Sequence, residues 1–156
     1  MTSILVVNQH PSIKLNTKAI KALGTELCSF AESVAKRNAA PIYDELTLIF
    51  TDAEQIAEIH AATMNIPTTT DVITLPYEPM PGAPLGAELI ISIDMAISKA
   101  RANWDASREL ALYIAHGIDH LAGNDDHEPQ DYRAMRAREL RWLRFSSSLK
   151  TNSLIH

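Results

Sequence analysis

Two histidines four residues apart, followed by a glycine and a polar turn, constrain this chain more than any other feature. His116 and His120 would lie on one face of a helix, one turn apart, where two imidazoles can bind one cation. Gly123 then ends the helix, and the turn behind it carries Asp126 and His127. Three N/O ligands around an open position are typical of a catalytic metal site, whereas structural zinc sites usually have four ligands rich in cysteine. We therefore predict one zinc ion per chain.

The composition is that of an ordinary globular domain. The chain has 156 residues, of which 46% are hydrophobic and 21% charged, and this length is enough for one domain with its own core. Cys28 is the only cysteine, so a metal would be bound by histidines and carboxylates. No apolar run approaches the roughly 20 residues of a membrane span, and the first residues lack the pattern of a signal peptide. We expect a cytoplasmic protein that has no membrane partner.

The apolar periodicity predicts an α+β fold, a layered domain in which a small mixed sheet of about four strands packs with about five helices. Strands are predicted at residues 4–7, 46–51, 72–75 and 88–93. Helices are predicted at about 17–37, from a capping box at 51–54 to residue 62, at 94–102, at 105–121 and at 129–145. We expect residues 1–146 to form a single metal-binding domain and residues 147–156, which are polar and rich in serine, to form a flexible tail.

The residue after the first histidine separates the metal helix from that of the zinc peptidases called zincins. Zincins carry H-E-x-x-H, in which the glutamate takes the proton from metal-bound water. Gly117 occupies that position here. The helix is therefore zincin-like in the spacing of its histidines but carries no general base, and peptide hydrolysis by the zincin route is not expected.

The last predicted helix is rich in arginine although the chain has a net charge of −5. An acidic chain repels nucleic acid on average, so phosphate binding would depend on a local basic surface. The candidates for such a surface, which would guide a polyanion toward the metal, are Arg133, Arg136, Arg141 and Arg144, with Arg138 among them on the same helix. The alternative is a solvated helix face whose arginines pair with Asp131 and Glu139.

Three segments of the chain match the motifs of one family. The pattern H-G-x-x-H-L-x-G-x-D-H is matched at His116-Gly117, His120-Leu121, Gly123 and Asp125. A segment similar to P-T-D-V-L-S-F-P occurs at Thr70–Pro76, and a strand similar to G-D-I-V-I-S occurs loosely at Glu88–Ser92. These motifs, in this order, resemble those of the YbeY family of single-strand-specific endoribonucleases. The resemblance runs from about Ile4 to Leu143.

The resemblance implies a metal-dependent endoribonuclease of 16S rRNA maturation and ribosome quality control, in which a zinc-activated water attacks an RNA phosphodiester. It also implies single-stranded RNA, rRNA and ribosome-associated proteins as partners. Aligned without gaps, the third metal ligand of the family falls on Asp126, and His127 is the alternative one residue later. We expect Asp126, because the use of His127 would require a one-residue bulge in the turn.

The chain also departs from the family pattern at three positions. Asp119 stands where the family has leucine, and it either orients a ligand histidine from behind the metal site or faces solvent. Met64 aligns with an arginine thought to matter for RNA cleavage, and Thr69 replaces a proline. Loss of that arginine removes a natural partner for the scissile phosphate. A zinc-stabilised, ribosome-associated binding factor without catalysis is therefore the alternative hypothesis, although the open three-ligand geometry favours the enzyme.

Overall fold

The chain forms four strands and six helices, and the computed structural model describes all 156 residues. The strands are β1 (Ser3–Asn8), β2 (Glu45–Thr51), β3 (Val72–Pro76) and β4 (Gly86–Ser92). The helices are α1 (Thr17–Arg37), α2 (Ala53–Met64), α3 (Ile93–Lys99), α4 (Ala106–Leu121), α5 (Pro129–Phe145) and α6 (Ser147–Thr151). The predicted α+β class is confirmed, with one helix more than expected. None of the helices combines the length and the apolar character that crossing a bilayer requires.

The four strands form one open mixed sheet in the order β1-β2-β4-β3. Strands β1, β2 and β4 are parallel, whereas β3 pairs antiparallel with β4 and forms one edge. In this register Val72, at the start of β3, lies opposite Ile91, near the end of β4. The polar residues that precede β3 are therefore brought to the same end of the sheet as the C-terminal ends of the parallel strands.

The two faces of the sheet are covered unequally. Leu89 and Ile91 of β4 point into a cluster of 28 buried residues that also includes side chains of α1, α4 and α5. Ile90 points to the opposite face, where it forms a small second buried cluster with Ile56 of α2 and Ile73 of β3. Because α4 lies on the larger core and packs against β3, β4 and α5, its histidines are held beside the antiparallel edge of the sheet.

Gly117 lets α4 lie directly on β4. A Cβ atom at this position would be 2.7 Å from Cδ1 and 2.8 Å from Cδ2 of Leu89, a fully buried side chain. Packed carbon atoms are usually 3.5–4.0 Å apart, so there is no room for a side chain unless Leu89 moves. The position after His116 therefore faces the sheet, which explains why it cannot carry the glutamate of a zincin.

The C-terminal segment is packed, contrary to the prediction of a flexible tail for residues 147–156. Helix α6 is anchored at its start by Glu26, whose carboxylate accepts hydrogen bonds from the backbone N–H groups of Ser147 and Ser148. Leu154 is fully buried, and its N–H donates to Ser107 Oγ over 2.7 Å. The serines suggested a linker, but they form the first turn of a short helix, and one leucine beyond them enters the core.

Candidate metal centre

Helix α4 begins and ends at residues suited to those positions. Asp105 is the N-cap, and its side chain accepts a hydrogen bond from the backbone N–H of Arg108 over 2.9 Å. At the other end Gly123 has a φ of +94°, which glycine adopts without strain and which turns the chain sharply. The Gly123 N–H donates to the carbonyl of His120. This turn returns the chain so that Asp126 faces the two histidines of α4.

Three potential ligand atoms converge beside α4. His116 Nε2 lies 3.1 Å from His120 Nε2 and 3.4 Å from Asp126 Oδ2. His120 Nε2 lies 3.8 Å from Asp126 Oδ1. The three side chains are each partly buried and form one group that could hold a metal ion, whereas His127 is exposed and outside that group. The turn thus brings Asp126, not His127, to the histidines.

The hydrogen bonds of the two imidazoles assign their tautomers. His120 Nδ1 lies 3.0 Å from the backbone carbonyl of Asn124, which can only accept, so Nδ1 carries the proton. His116 Nδ1 lies 2.9 Å from Glu139 Oε2 and donates to that carboxylate in the same way. Each neutral ring then presents the lone pair of Nε2. Two lone pairs and a carboxylate oxygen therefore point into one space, an arrangement that a cation stabilises.

The spacing of these atoms fits a tetrahedral ion. Nitrogen and oxygen ligands lie about 2.0–2.2 Å from zinc, so two ligand atoms of one tetrahedral site are about 3.3 Å apart. The two nitrogens are 3.1 Å apart, and they lie 3.4 and 3.8 Å from Oδ2 and Oδ1 of Asp126, respectively, so the observed separations are close to that value. Two nitrogens and one oxygen leave a fourth position open, which is the ligand number of catalytic zinc sites. The identity of the metal does not follow from these distances alone.

Glu139 of α5 supports the site, a role that the sequence does not predict. The sequence indicates only that Glu139 could pair with arginines of its own helix. Its side chain is fully buried. Burial lowers the pKa of His116, but the hydrogen bond and the charge of Glu139, with smaller effects of Asp71 and Asp126, outweigh it and raise the pKa. An acid within the otherwise apolar buried face of α5, which contains Met135, Trp142 and Leu143, is the signal that could have identified it.

Asp119 supports the site indirectly. Its carboxylate is fully buried and accepts hydrogen bonds from Arg138 Nε over 2.9 Å and from Asn124 Nδ2 over 2.8 Å. It does not face solvent, and it bonds to neither histidine directly. Because the Asn124 carbonyl accepts from His120, Asp119 fixes the turn that in turn orients this imidazole.

The arginines of α5 occupy different environments. Arg133, Arg141 and Arg144 are exposed, and Arg138 is committed to Asp119. Arg136 is half-buried, with Nε 3.4 Å from Glu139 Oε1 and its guanidinium carbon 5.4 Å from the centre of the Tyr132 ring. Of the predicted basic surface, only Arg136 is thus fixed beside the residues of the metal centre. The expected pairing of arginines with acids applies to its contact with Glu139.

Met64, for which the sequence resemblance implies an arginine, lies at the end of α2. Met64 is the last residue of that helix, and 47% of its side chain is exposed. Asn65, which follows, adopts a left-handed conformation that ends the helix. Thr69, in the connection to β3, is also exposed. Neither position supplies a positive charge.

Comparison with known proteins identifies the family of this chain. The family model described as Endoribonuclease YbeY matches residues 5–146, which is most of the chain and includes the whole metal centre. The chain belongs to the YbeY endoribonuclease family. The resemblance inferred from the sequence motifs is thereby confirmed.

Individual YbeY relatives agree with the family model. The Endoribonuclease YbeY of Nautilia profundicola is 40% identical over 109 residues, which cover 67% of this chain and 76% of that protein. The Endoribonuclease YbeY of Nocardia farcinica is 29% identical over 139 residues, covering 82% of this chain and 76% of that protein. The solution structure of TM1509 from Thermotoga maritima matches with a TM-score of 0.55 and 22% identity, covering 90% of this chain and 86% of that one. This last likeness supports the fold alone.

Proposed function

We propose that this chain is a zinc-dependent endoribonuclease that cleaves single-stranded RNA and acts in the cytoplasm in 16S rRNA maturation and ribosome quality control. The family to which it belongs carries the endoribonuclease activity. The observation that supports the metal-dependent mechanism is the convergence of His116 Nε2, His120 Nε2 and an Asp126 carboxylate oxygen around one open position. RNA is the substrate, and ribosome-associated proteins are the proposed partners.

His116, His120 and Asp126 are the proposed ligands. A zinc ion held by them would lower the pKa of a water ligand and polarise a phosphoryl oxygen of the substrate. Glu139 keeps the proton on His116 Nδ1, and the Asn124 carbonyl keeps it on His120 Nδ1, so both rings present Nε2 to the ion. Both imidazoles must be neutral to bind, so the metal affinity should fall as acid protonates them.

The arginines of α5 are the proposed guides for the RNA backbone. Arg133, Arg141 and Arg144 are exposed and would attract phosphates from solution, while Arg136 lies nearest to the metal ligands. This local charge offsets the net charge of −5 of the chain as a whole. Binding should therefore weaken steeply as the salt concentration rises.

Cleavage of a labelled single-stranded RNA by the zinc-loaded protein tests the proposal. We expect cleavage that a chelator abolishes and added zinc restores, with a duplex of the same sequence left intact. His116→Ala and His120→Ala should bind no stoichiometric zinc and should be inactive, because each removes one of three protein ligands. An absence of cleavage by the zinc-loaded wild-type chain, or full zinc in either variant, would contradict the proposal.

One observation favours a second candidate, a zinc-stabilised ribosome-associated factor that binds RNA without cutting it. Met64 is uncharged and exposed at the position where the family has an arginine, so a partner for the scissile phosphate is absent there. The same assay separates the two functions. RNA that binds the zinc-loaded protein and stays intact would favour the binding factor.

A further inference from the structure

An aromatic ring and an arginine lie side by side at the start of α5, next to the metal centre. The Tyr132 side chain is 45% exposed, and the Arg136 guanidinium carbon is 5.4 Å from the centre of its ring. This is the geometry of a cation–π contact, which holds an arginine over an aromatic face. The pair occupies the first two turns of the helix, directly after the turn that carries Asp126.

A single carboxylate connects this pair to the metal ligands. Arg136 Nε is 3.4 Å from Glu139 Oε1, and the other oxygen of Glu139 accepts the hydrogen bond from His116 Nδ1 over 2.9 Å. The guanidinium therefore lies one side chain away from a ligand histidine.

Arg136 keeps donors free for a ligand. Its Nε is buried beside Glu139 and cannot reach a ligand, but its two terminal nitrogens donate no hydrogen bond within the chain. The guanidinium carries five N–H donors in a rigid fork that matches the oxygens of a phosphate. Because Tyr132 and Glu139 fix its position, little side-chain freedom is lost when it binds. By contrast, Arg138 Nε donates to both carboxylate oxygens of Asp119.

We propose that Tyr132 and Arg136 form a nucleotide subsite for single-stranded RNA beside the metal centre, with a base stacked on Tyr132 and the adjoining phosphate bound by Arg136. Every base has a π-face, so stacking on an exposed aromatic ring accepts any sequence and requires an unpaired base. Arg136 also supplies a fixed positive charge close to the ligands, which Met64 does not. The subsite rests on the proposed function, because it needs RNA as the substrate.

Equilibrium binding of short labelled RNAs to the zinc-loaded protein tests the subsite. One probe is a single-stranded oligouridylate, and the other has the same length and phosphates but abasic central nucleotides. Both probes carry phosphorothioate linkages, which keep the negative charge and resist hydrolysis, so that the proposed nuclease leaves them uncut. Affinities are measured by fluorescence anisotropy at several salt concentrations, and a gel checks that each RNA is intact. Two variants serve as controls. Tyr132→Phe keeps the aromatic ring, and Lys21→Ala removes one exposed charge from α1, which packs on β1 at the edge of the sheet opposite β3.

Tyr132→Ala should weaken binding of the oligouridylate by about fivefold or more and leave the abasic probe unaffected, while Tyr132→Phe should bind like the wild type. Arg136→Ala should weaken binding of both probes and reduce the slope of log K against log salt by about 0.7, more than Lys21→Ala does. Thermal unfolding checks that each variant is folded.

Equal weakening of both probes by Tyr132→Ala would overturn the subsite, and so would an Arg136→Ala variant that binds like Lys21→Ala. Wild-type affinity in Tyr132→Ala would do the same. These outcomes differ from a failure of the proposed function, which would appear as intact RNA in the cleavage assay of the wild-type chain. The subsite and the nuclease activity are thus tested by separate measurements.

Discussion

At the scale of single residues, the two ligand histidines depend on a position that carries no side chain. Gly117 lies between them on the face of α4 that touches Leu89, while His116 and His120 point away from the sheet toward Asp126. The close approach of the helix to β4 therefore sets how far the imidazoles stand from the turn. Gly117, which has no side chain, thereby sets the position of the His116 and His120 imidazoles.

Substituting this glycine should destabilise the fold. In Gly117→Ala the new Cβ would lie 2.7 Å from a fully buried Leu89 methyl group, so the core must shift. Overpacking of this kind costs about 1–3 kcal/mol, partly offset by the better helix propensity of alanine. We expect a lower free energy of unfolding in urea and weaker zinc binding.

Gly24→Ala in α1 is the matched control for that substitution. Its Cβ would meet the side chain of Ile4 at 3.3 Å, a contact that a small movement relieves. We expect its free energy of unfolding to stay near that of the wild type or to rise. If Gly117→Ala were as stable as Gly24→Ala, the close contact between α4 and β4 would not constrain the helix as described.

Much of the metal centre could be predicted from the sequence because its parts are close in the chain. The spacing of His116 and His120 fixes them on one helix face, and Gly123 marks the turn that returns Asp126. Glu139 could not be predicted in its role, because its contact with His116 spans 23 residues and depends on how α5 packs on α4. The same packing decides that Asp119 pairs with Arg138.

At the scale of elements, the contact between α4 and α5 contains a buried ion pair. Asp119 is fully buried, and Arg138 Nε reaches both of its oxygens, at 2.9 and 3.2 Å. The resemblance described above implies leucine at the position of Asp119, whereas this chain has a charged side chain in that buried contact. A buried pair of this kind is weak evidence for stability, but breaking it leaves a charge without a partner.

Removing one member of the pair should be more harmful than removing both. Arg138→Ala leaves Asp119 buried and unpaired, which should lower the free energy of unfolding by about 3 kcal/mol. The double variant Asp119→Leu/Arg138→Leu should recover most of that loss, because an apolar pair needs no compensation. Urea unfolding of the two proteins measures the difference. A double variant less stable than Arg138→Ala would show that the ion pair contributes net stability.

Helix α6 is held by a second carboxylate, that of Glu26. Partial burial raises the pKa of Glu26, but hydrogen bonds from the hydroxyl and backbone N–H groups of the serines outweigh it and lower the pKa below its ordinary value of 4.5. A lowered pKa means that the carboxylate form stabilises the fold. This contribution is complete well above pH 4.5 and is lost as the pH falls through the lower pKa of the folded state.

The C-terminal segment should therefore loosen in acid before the rest of the molecule. We expect Glu26→Gln to raise hydrogen exchange at residues 147–155 at neutral pH, to the level the wild type reaches below the folded pKa of Glu26. Glu32→Gln on the same helix is the control, because Glu32 pairs with Lys36 at the surface and does not contact α6. Equal exchange in Glu26→Gln and Glu32→Gln would argue against the anchor.

In the whole molecule, the fold places the proposed metal site and the proposed nucleotide subsite next to each other. The ligand turn after α4 and the first turns of α5 form one continuous stretch, with the proposed metal site at its beginning and the Tyr132–Arg136 subsite immediately after it. A ligand that binds only the folded state stabilises it by mass action. Zinc should accordingly raise the unfolding temperature of the chain, and a chelator should lower it.

Asp126 is the proposed third ligand of the metal site, and His127 is not a ligand. The most direct measurement is the zinc content per chain of Asp126→Ala and His127→Ala, each purified with zinc and dialysed alongside the wild type. Asp126 lies 3.4 Å from His116 Nε2, whereas His127 is exposed, so Asp126→Ala should lose stoichiometric zinc and His127→Ala should retain one ion per chain. Zinc retained in Asp126→Ala and lost from His127→Ala would contradict the account.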